Sequence, residues 1–171
     1  MGSKIDMQLC VPVALNHKHN CCNFDCENDT LNQWLYKRAL KNQQSGASKT
    51  FVTCLGDNVA GFYSLSTGSI EHKYVSAALK RNMPAPIPII ILSRLAVDHS
   101  FKGKGLGKHL LKDALLRILQ VSQNIGVRAV VVHAINQDVI EFYKQFGFQQ
   151  SPLTSHTLYL SVRSIKLALS N

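Results

Sequence analysis

Residues 92–115 read "LSRLAVDHSFKGKGLGKHLLKDAL", and this stretch decides the fold. It begins inside an isoleucine-rich run over 87–97, which is typical of a buried central strand. Leucines then recur at helical spacing, which predicts a helix over 105–123. The loop between strand and helix alternates glycines with lysines: Lys102, Gly103, Lys104, Gly105, Gly107 and Lys108. Glycines at a helix N-terminus allow backbone N–H groups to converge on an anion, and the helix dipole assists.

Two common nucleotide-binding loops do not fit this spacing. A Walker A loop needs four residues between its glycines and a Ser or Thr after the lysine. Here three residues separate Gly103 from Gly107, and His109 follows Lys108. A dinucleotide-binding loop needs G-x-G-x-x-G and an acidic residue after the next strand. This chain has G-x-G-x-G and reaches Asn136 at that point, so the loop is a phosphate-binding loop of another kind.

Length and composition indicate one globular domain. The 171 residues are 46% hydrophobic and 17% charged, enough for a substantial core. The 19 Lys and Arg against 10 Asp and Glu give a net charge of +9, which favours anionic partners such as a phosphorylated cofactor or a nucleic acid. No apolar run could span a membrane, and the N-terminus lacks a signal-peptide core. We therefore expect a single domain over 1–171, located in the cytoplasm, with residues 1–3 ("MGS") resembling an expression scar.

Further elements are predicted on both sides of the central strand and helix. Apolar residues at helical spacing predict a helix over 31–43, with Asp29 or Thr30 as N-cap and 44–48 as its end. The remaining predictions are a hairpin over 51–65, a short helix over 72–82, a strand over 127–135, a short helix over 137–148 closed by Gly147, and a last strand over 155–164. Strands flanking a glycine-opened helix indicate an α/β or α+β domain.

The central motif resembles that of the GNAT N-acetyltransferases. In that family a strand ending near [LV]-A-V is followed by [RQ]-x-x-G-x-[GA], whose backbone binds the pyrophosphate of acetyl-coenzyme A. Lys102 stands at the Arg or Gln position, and Gly105 and Gly107 stand at the glycine positions. The resemblance implies a single-domain fold with a mixed, mostly antiparallel sheet, splayed at the cofactor site and flanked by helices. It places acetyl-coenzyme A contacts at Leu95, Ala96, Val97, Lys102, Gly103, Lys104, Gly105, Leu106, Gly107, Lys108 and Asn136.

Two further segments look like those of the acetyltransferase toxins of bacterial type II toxin–antitoxin modules. They are "FDCENDTLNQWLYKRALKNQQSGASKTFV" (24–52) and "VVVHAINQDVIEFYKQFGF" (130–148). Those toxins acetylate the α-amino group of aminoacyl-tRNA and so stop translation. The resemblance also implies a homodimer and a cognate antitoxin of the ribbon-helix-helix type. Acetylation of a protein N-terminus, a lysine or a small-molecule amine stays open, and so does an inactive coenzyme A-binding module.

Acetyl transfer needs a neutral amine and a proton for the thiolate leaving group. Tyr143 matches the tyrosine that the family uses to protonate the coenzyme A sulfur; the alternative is that it packs with the neighbouring phenylalanines as core. Glu141 lies on a different helical face, and Asp98 is a weak candidate for a general base, with a solvated turn carboxylate as the alternative. An α-amino group has a pKa near 7.7–8.0, against about 10.4 for lysine, so aminoacyl-tRNA would need little help from a base.

Basic residues outside the loop predict a surface for the acceptor arm of tRNA. These candidates are Lys37, Arg38, Lys41, Lys80, Arg81 and Arg94, although solvated surface charge explains any single one equally well. The segment "HKHNCCNFDC" (17–26) offers His and Cys side chains, but without paired C-x2-C spacing, so we expect no metal. Cys26 is expected to be buried at the start of the first helix. Arg128 and His133 are expected to be structural.

Overall fold

The computed structural model describes residues 8–170, so the "MGS" segment lies outside the described residues. Within them, seven strands form one sheet in the order β1-β2-β3-β4-β5-β7-β6. The pairing of β4 with β5 is parallel, and those of β1 with β2, β2 with β3, and β7 with β5 and β6 are antiparallel. The predicted mixed, mostly antiparallel sheet is therefore confirmed. The strands are β1 (Val13–Ala14), β2 (Lys49–Leu55), β3 (Asn58–Ile70), β4 (Ile87–Val97), β5 (Ala129–His133), β6 (Gln149–Gln150) and β7 (Thr157–Ser161).

The α-helices are α1 (Asp29–Trp34), α2 (Leu40–Ser45), α3 (Ala77–Lys80), α4 (Leu106–Ser122), α5 (Gln137–Lys144) and α6 (Val162–Leu169). A π-helical turn over Leu35–Ala39 joins α1 to α2. The Oδ1 of Asn28 accepts a backbone hydrogen bond of 3.1 Å in the first turn of α1, so Asn28 is the N-cap. The predicted caps Asp29 and Thr30 are wrong, because Asn28 supplies the capping oxygen one residue earlier.

Two compact units make up the described residues, and 8–65 with 94–113 form the first. The hairpin of β2 and β3 is confirmed, with Lys49 opposite Leu65 and Leu55 opposite Asn58. Phe62 of β3 is fully buried, and Trp34 stacks on its ring at 6.1 Å. Burial of one such aromatic side chain contributes about 1.5–3 kcal/mol. The buried cluster of this unit contains Leu15, Phe24, Cys26, Leu35, Ala39, Val52, Cys54, Val59, Phe62 and Ala96.

Residues 66–93 and 114–170 form the second unit. Its strand pairing joins β4 to β5 at Ile91–Val131, and β5 continues beyond that point to His133. Its buried cluster contains Ile70, Val75, Leu79, Ile87, Ile89, Ala129, Val131 and Tyr159.

Two predictions in the second unit are wrong. The last strand ends at Ser161, because the Ser161 hydroxyl accepts a hydrogen bond from Ser164 N at 3.0 Å and starts α6. The helix predicted over 72–82 is a 3-10 turn (His72–Tyr74) followed by α3, because Ser76 caps a new helix at Leu79 N.

Candidate functional site

The loop between β4 and α4 has the backbone of an anion site. Gly103 and Gly105 have φ values of +74° and +78°, which residues with a side chain rarely adopt. An added Cβ at either position meets no atom within 4 Å. The glycines are therefore required by the left-handed backbone conformation and not by a lack of space for a side chain. His109 N donates to Gly105 O at 3.1 Å, which leaves the three preceding N–H groups of α4 without intrahelical partners. These donors lie where the helix dipole favours negative charge.

A third glycine, Gly61 on β3, sets how closely α4 packs on the strand. A Cβ at this position would lie 2.8 Å from Leu110 Cδ1 and 3.3 Å from the Ala96 carbonyl oxygen. Leu110 is fully buried, so a side chain at residue 61 would displace the helix that carries the loop. Sequence reasoning missed this positioning residue, although a glycine inside a strand pattern is a signal of close backbone approach.

The predicted cofactor strand, Leu95 to Val97, forms the end of β4, with Ala96 buried and its two neighbours partly exposed. Asp98 follows, and both of its carboxylate oxygens accept backbone hydrogen bonds of 2.9 Å, from Asp25 N and Ser100 N. Asp98 is buried, so the expectation of a solvated turn carboxylate is wrong. Its hydrogen bonds give it a structural role and leave it a poor candidate for a general base.

Hydrogen bonds join the segment 25–27 to the start of the loop, and we call this set the Asp25–Lys102 network. His99 N donates to Asp25 O at 2.8 Å. Lys102 Nζ donates to Glu27 Oε2 at 2.7 Å and to Cys26 O at 3.2 Å. The ammonium group of Lys102 is therefore paired with Glu27. Exposed pairs of this kind contribute about 0–1 kcal/mol.

The other loop positions divide between anchoring and charge. Leu106 is buried and fixes the start of α4, and Gly107 lies in its first turn. Lys104 and Lys108 are exposed, with Lys104 Nζ 5.7 Å from the centroid of the Phe101 ring. These two ammonium groups extend from the exposed surface of the loop. Both can therefore approach an anion held by the backbone.

In the second unit, α5 carries Tyr143. Its ring is buried, with centroids 5.2 Å from Phe142 and 5.1 Å from Phe148. The core packing that sequence reasoning gave as the alternative is therefore present. Within residues 8–170 the Tyr143 hydroxyl has no hydrogen-bond partner, and burial raises its pKa above the ordinary tyrosine value. The side chain thus holds a neutral phenol with a proton that no protein group accepts.

The neighbouring polar groups of α5 have structural contacts. Asn136 caps the helix, because its Oδ1 accepts a hydrogen bond from Val139 N at 3.0 Å. Glu141 is exposed and accepts from Gln137 Nε2 at 2.9 Å. Gly147 follows the helix with a φ of +88°, so the expected left-handed closure is confirmed. The side-chain oxygen of Asn136 is occupied, and its amide nitrogen is the part that can reach a ligand.

The predicted RNA-binding residues have different environments. Lys37, Arg38 and Lys41 are exposed around the π-helical turn and on α2, and in the second unit Lys80 and Arg81 lie at the end of α3. The Arg94 guanidinium instead lies 4.0 Å from the centroid of the Trp34 ring. Partial burial lowers the pKa of Arg94 from its ordinary value. Arg94 is therefore packed on Trp34 as a cation–π contact.

The remaining candidates are structural. Arg128 Nε donates to Leu79 O at 2.9 Å, and Cys26 is buried, as expected for both. Burial raises the pKa of Cys21 to about 11 and that of Cys54 to about 12, so both stay protonated thiols.

Among residues 8–170 no group of three or more His, Cys, Asp or Glu side chains is placed to hold a metal ion. Nor does any helix in that range have the length and apolar character needed to cross a membrane.

The fold is that of an α/β protein with a left-handed glycine turn at the start of a central helix. An acetyltransferase (GNAT) domain model matches residues 46–150. A tRNA-acetylating toxin of Mycobacterium tuberculosis is 39% identical over 160 residues, which cover 94% of this chain and 96% of that protein. The chain belongs to the GNAT family of acetyltransferases.

Two solved structures share this fold. AtaT complexed with acetyl-methionyl-tRNAfMet has a TM-score of 0.88 and 25% identity, covering 95% of this chain and 99% of that chain. A tyrosine-to-phenylalanine mutant of AtaT, bound to the C-terminus of the antitoxin AtaR and to acetyl-CoA, has a TM-score of 0.82 and 25% identity, covering 96% and 99%. The fold predicted from the sequence is therefore confirmed.

Proposed function

We propose that this chain transfers the acetyl group of acetyl-coenzyme A to the α-amino group of aminoacyl-tRNA and thereby blocks translation. The observation that carries the proposal is the 39% identity, over nearly the full length of both chains, to a protein named for acetylating tRNA. AtaT, at 25% identity, forms a complex with the acetylated product acetyl-methionyl-tRNAfMet. The net charge of +9 suits a polyanionic substrate.

The loop before α4 fits the pyrophosphate of acetyl-coenzyme A. Its left-handed glycines, Gly103 and Gly105, leave open space around exposed N–H donors at the helix N-terminus. Lys104 and Lys108 add positive charge, while Leu95 to Val97 and the amide of Asn136 would contact the rest of the cofactor. When bound, acetyl-coenzyme A supplies a thioester carbonyl that a neutral amine can attack.

Tyr143 is assigned as the general acid. Burial raises its pKa, so the phenol is protonated at every physiological pH. Its hydroxyl is free of protein partners within residues 8–170 and can donate to the sulfur as negative charge develops there.

The acceptor amine requires no strong base. An α-amino group has a pKa near 7.7–8.0, so a substantial fraction is neutral at physiological pH. The carboxylates Asp98 and Glu141 already accept hydrogen bonds from the protein. The engagement of these two candidate bases favours an aminoacyl ester over a lysine side chain as acceptor.

The tRNA surface and the partners complete the proposal. Lys37, Arg38, Lys41, Lys80 and Arg81 would contact RNA phosphates, and Arg94 would contribute through its position over Trp34. Structures of AtaT with AtaR support a cognate antitoxin for this chain. We further propose that residues 1–171 form one catalytic domain, that the protein is a cytoplasmic homodimer, and that the antitoxin is of the ribbon-helix-helix type.

The decisive experiment is mass spectrometry of nuclease-digested tRNA after incubation of charged tRNA with the protein and acetyl-coenzyme A. We expect N-acetyl-aminoacyl-adenosine, and none with deacylated tRNA. A lysine peptide and a peptide with a free N-terminus are the competing acceptors. Acetylation of either peptide without any acetylated aminoacyl-adenosine would overturn the proposal. A complete absence of acetylated product with all acceptors would also overturn it.

A further inference from the structure

We propose that a cavity in the first unit, at the start of α1, binds an unpaired nucleobase of the tRNA 3′ end, with Tyr36 as the stacking surface. The cavity has a volume of about 440 Å³ and is bordered by Asn23, Asp25, Asp29, Gln33 and Tyr36, among others. This volume falls within the range of small-ligand pockets, about 300–1,000 Å³. The inference rests on the proposed function and names the part of the RNA that this site recognises.

Tyr36 is the aromatic side chain available for stacking. It is 58% exposed, although a ring of this size is more often buried. It lies in the π-helical turn Leu35–Ala39, where Leu35 and Ala39 face the core and the residues between them face solvent. Single π-helical turns occur frequently at functional sites. Stacking on an exposed aromatic ring is the usual way in which proteins hold unpaired bases.

The cavity also offers hydrogen-bonding groups for a base edge. The side chains of Asn23 and Gln33 make no hydrogen bond within residues 8–170, and each carries both a donor and an acceptor. Asp25 accepts hydrogen bonds from Glu27 N at 2.8 Å and Asn32 Nδ2 at 3.0 Å, both on Oδ1, so Oδ2 is available. A carboxylate acceptor matches the exocyclic amino group of cytosine or adenine.

The charges separate the base from the phosphates. Asp25 and Asp29 border the cavity, so an anionic group is repelled from it. Lys37 and Arg38 follow Tyr36 directly, and Lys41 lies on α2. No acidic residue occurs between Asp29 and Asp57. The neutral base would therefore enter the cavity, while the phosphates of the RNA backbone would lie along Lys37, Arg38 and Lys41.

The link between the cavity and the loop proposed to bind the cofactor favours the 3′ end of the tRNA as the part that is bound. Asp25 borders the cavity and also belongs to the Asp25–Lys102 network, in which its backbone N–H bonds to Asp98 and its carbonyl accepts from His99 N. The cavity is thereby joined to the start of the glycine loop within one unit. The amine that accepts the acetyl group is esterified to the terminal nucleotide, so the bases closest to the reaction are those of the unpaired 3′ end.

The test is the binding of Tyr36→Ala to deacylated tRNA and to the same tRNA without its unpaired 3′ nucleotides, at one salt concentration. Loss of base stacking should weaken binding of the intact tRNA about 5- to 150-fold. The two proteins should bind the truncated tRNA equally. Tyr36→Phe keeps the ring and should stay within about threefold of the parent protein, as should Leu167→Ala, a matched exposed residue on α6.

Two outcomes overturn the inference: unchanged binding of intact tRNA by Tyr36→Ala, or equal weakening for intact and truncated tRNA. Thermal melting verifies that the variant folds. An independent readout is alkylation of Cys22, an exposed thiol at the cavity, which intact tRNA should slow relative to the exposed Cys10. Acetylation of charged tRNA by the parent protein is measured separately, so failure of this site and failure of the proposed function are distinguishable.

Discussion

The glycine loop and the helix that carries Tyr143 present their polar groups in opposite ways. The loop is exposed and offers main-chain donors whose direction depends on Gly103 and Gly105. Helix α5 buries an aromatic ring and offers one side-chain hydroxyl. A main-chain site tolerates changes in neighbouring side chains but not in backbone conformation. A site that depends on one buried hydroxyl is insensitive to backbone changes in other segments, but it is lost when the hydroxyl oxygen is removed.

The largest effect is expected at the side-chain site. Tyr143→Phe removes the hydroxyl but keeps the ring packing against Phe142 and Phe148. The rate of acetyl transfer should fall about 10²- to 10⁴-fold, the usual contribution of a general acid. Thermal melting should be little changed, because no protein hydrogen bond is lost. Single-turnover kinetics and melting on the same sample check both parts; full activity of this variant would remove Tyr143 from the mechanism.

The same variant gives a pH prediction. Burial raises the pKa of Tyr143 in the folded state, whereas the unfolded chain ionises near pH 10. The unfolded state therefore loses its proton first, and the free energy of unfolding should decrease as pH rises above about 10. Tyr143→Phe should show a smaller decrease. Denaturant titrations of both proteins between pH 8 and about 11 measure the difference; parallel pH curves would contradict it.

The next effect concerns the packing of β3 against α4, the helix that begins at the glycine loop. Gly61→Ala places a Cβ 2.8 Å from Leu110 Cδ1 and should lower the free energy of unfolding by about 1–3 kcal/mol. Gly126→Ala is the matched control, because an added Cβ there meets nothing within 4 Å. Urea denaturation measures both. Equal stability of the two variants would show that α4 adjusts to the extra methyl group.

A smaller effect is expected from the loop conformation itself. Gly105→Ala requires a left-handed alanine, which costs about 1–2 kcal/mol, so the KM for acetyl-coenzyme A should rise about 5- to 30-fold. Gly56→Ala in the β2–β3 turn carries a similar strain at a φ of +61°. Gly56→Ala should lower the free energy of unfolding by about as much as Gly105→Ala, but the KM for acetyl-coenzyme A should stay unchanged. A comparable KM increase in both variants would mean that strain acts only through global stability.

The smallest effect is expected at Lys102. Lys102→Ala removes an exposed pair with Glu27 but leaves the loop backbone intact. Such pairs contribute about 0.2–1 kcal/mol, so the KM for acetyl-coenzyme A should rise less than about fivefold. Steady-state kinetics at two salt concentrations measure this. An increase larger than that of Gly105→Ala would mean that the Lys102 side chain, rather than the backbone, binds the cofactor.

Sequence patterns correctly predicted the elements in which all residues favour the same secondary structure or backbone conformation. The isoleucine run of β4, the leucine spacing of α4 and the glycine loop were all located correctly, because hydrophobic periodicity and left-handed glycines restrict both sequence and structure. The missed helix α6 illustrates the limit: "LYLSVRSIKLAL" (158–169) reads as a strand that continues. The single cap at Ser161 stops β7 and begins the helix.

Contacts between distant residues explain the remaining errors in the site. Nothing local in "FDCEN" (24–28) indicates that Glu27 binds Lys102, or that Asp98 accepts a hydrogen bond from Asp25. Gly61 was read as an ordinary hairpin residue, because its requirement comes from Leu110 on another element. The family resemblance pointed to Tyr143, whereas the burial of its ring depends on the packing of the second unit.

The Asp25–Lys102 network also has a consequence for folding. Its hydrogen bonds join residues 73 to 76 positions apart in the chain. Closing so long a loop costs more chain entropy than forming a helix or a hairpin, so these contacts form only when much of the first unit is assembled. The glycine loop therefore acquires its final support late. A nascent or partly folded chain therefore lacks the supported loop until residues from both ends of the first unit have come together.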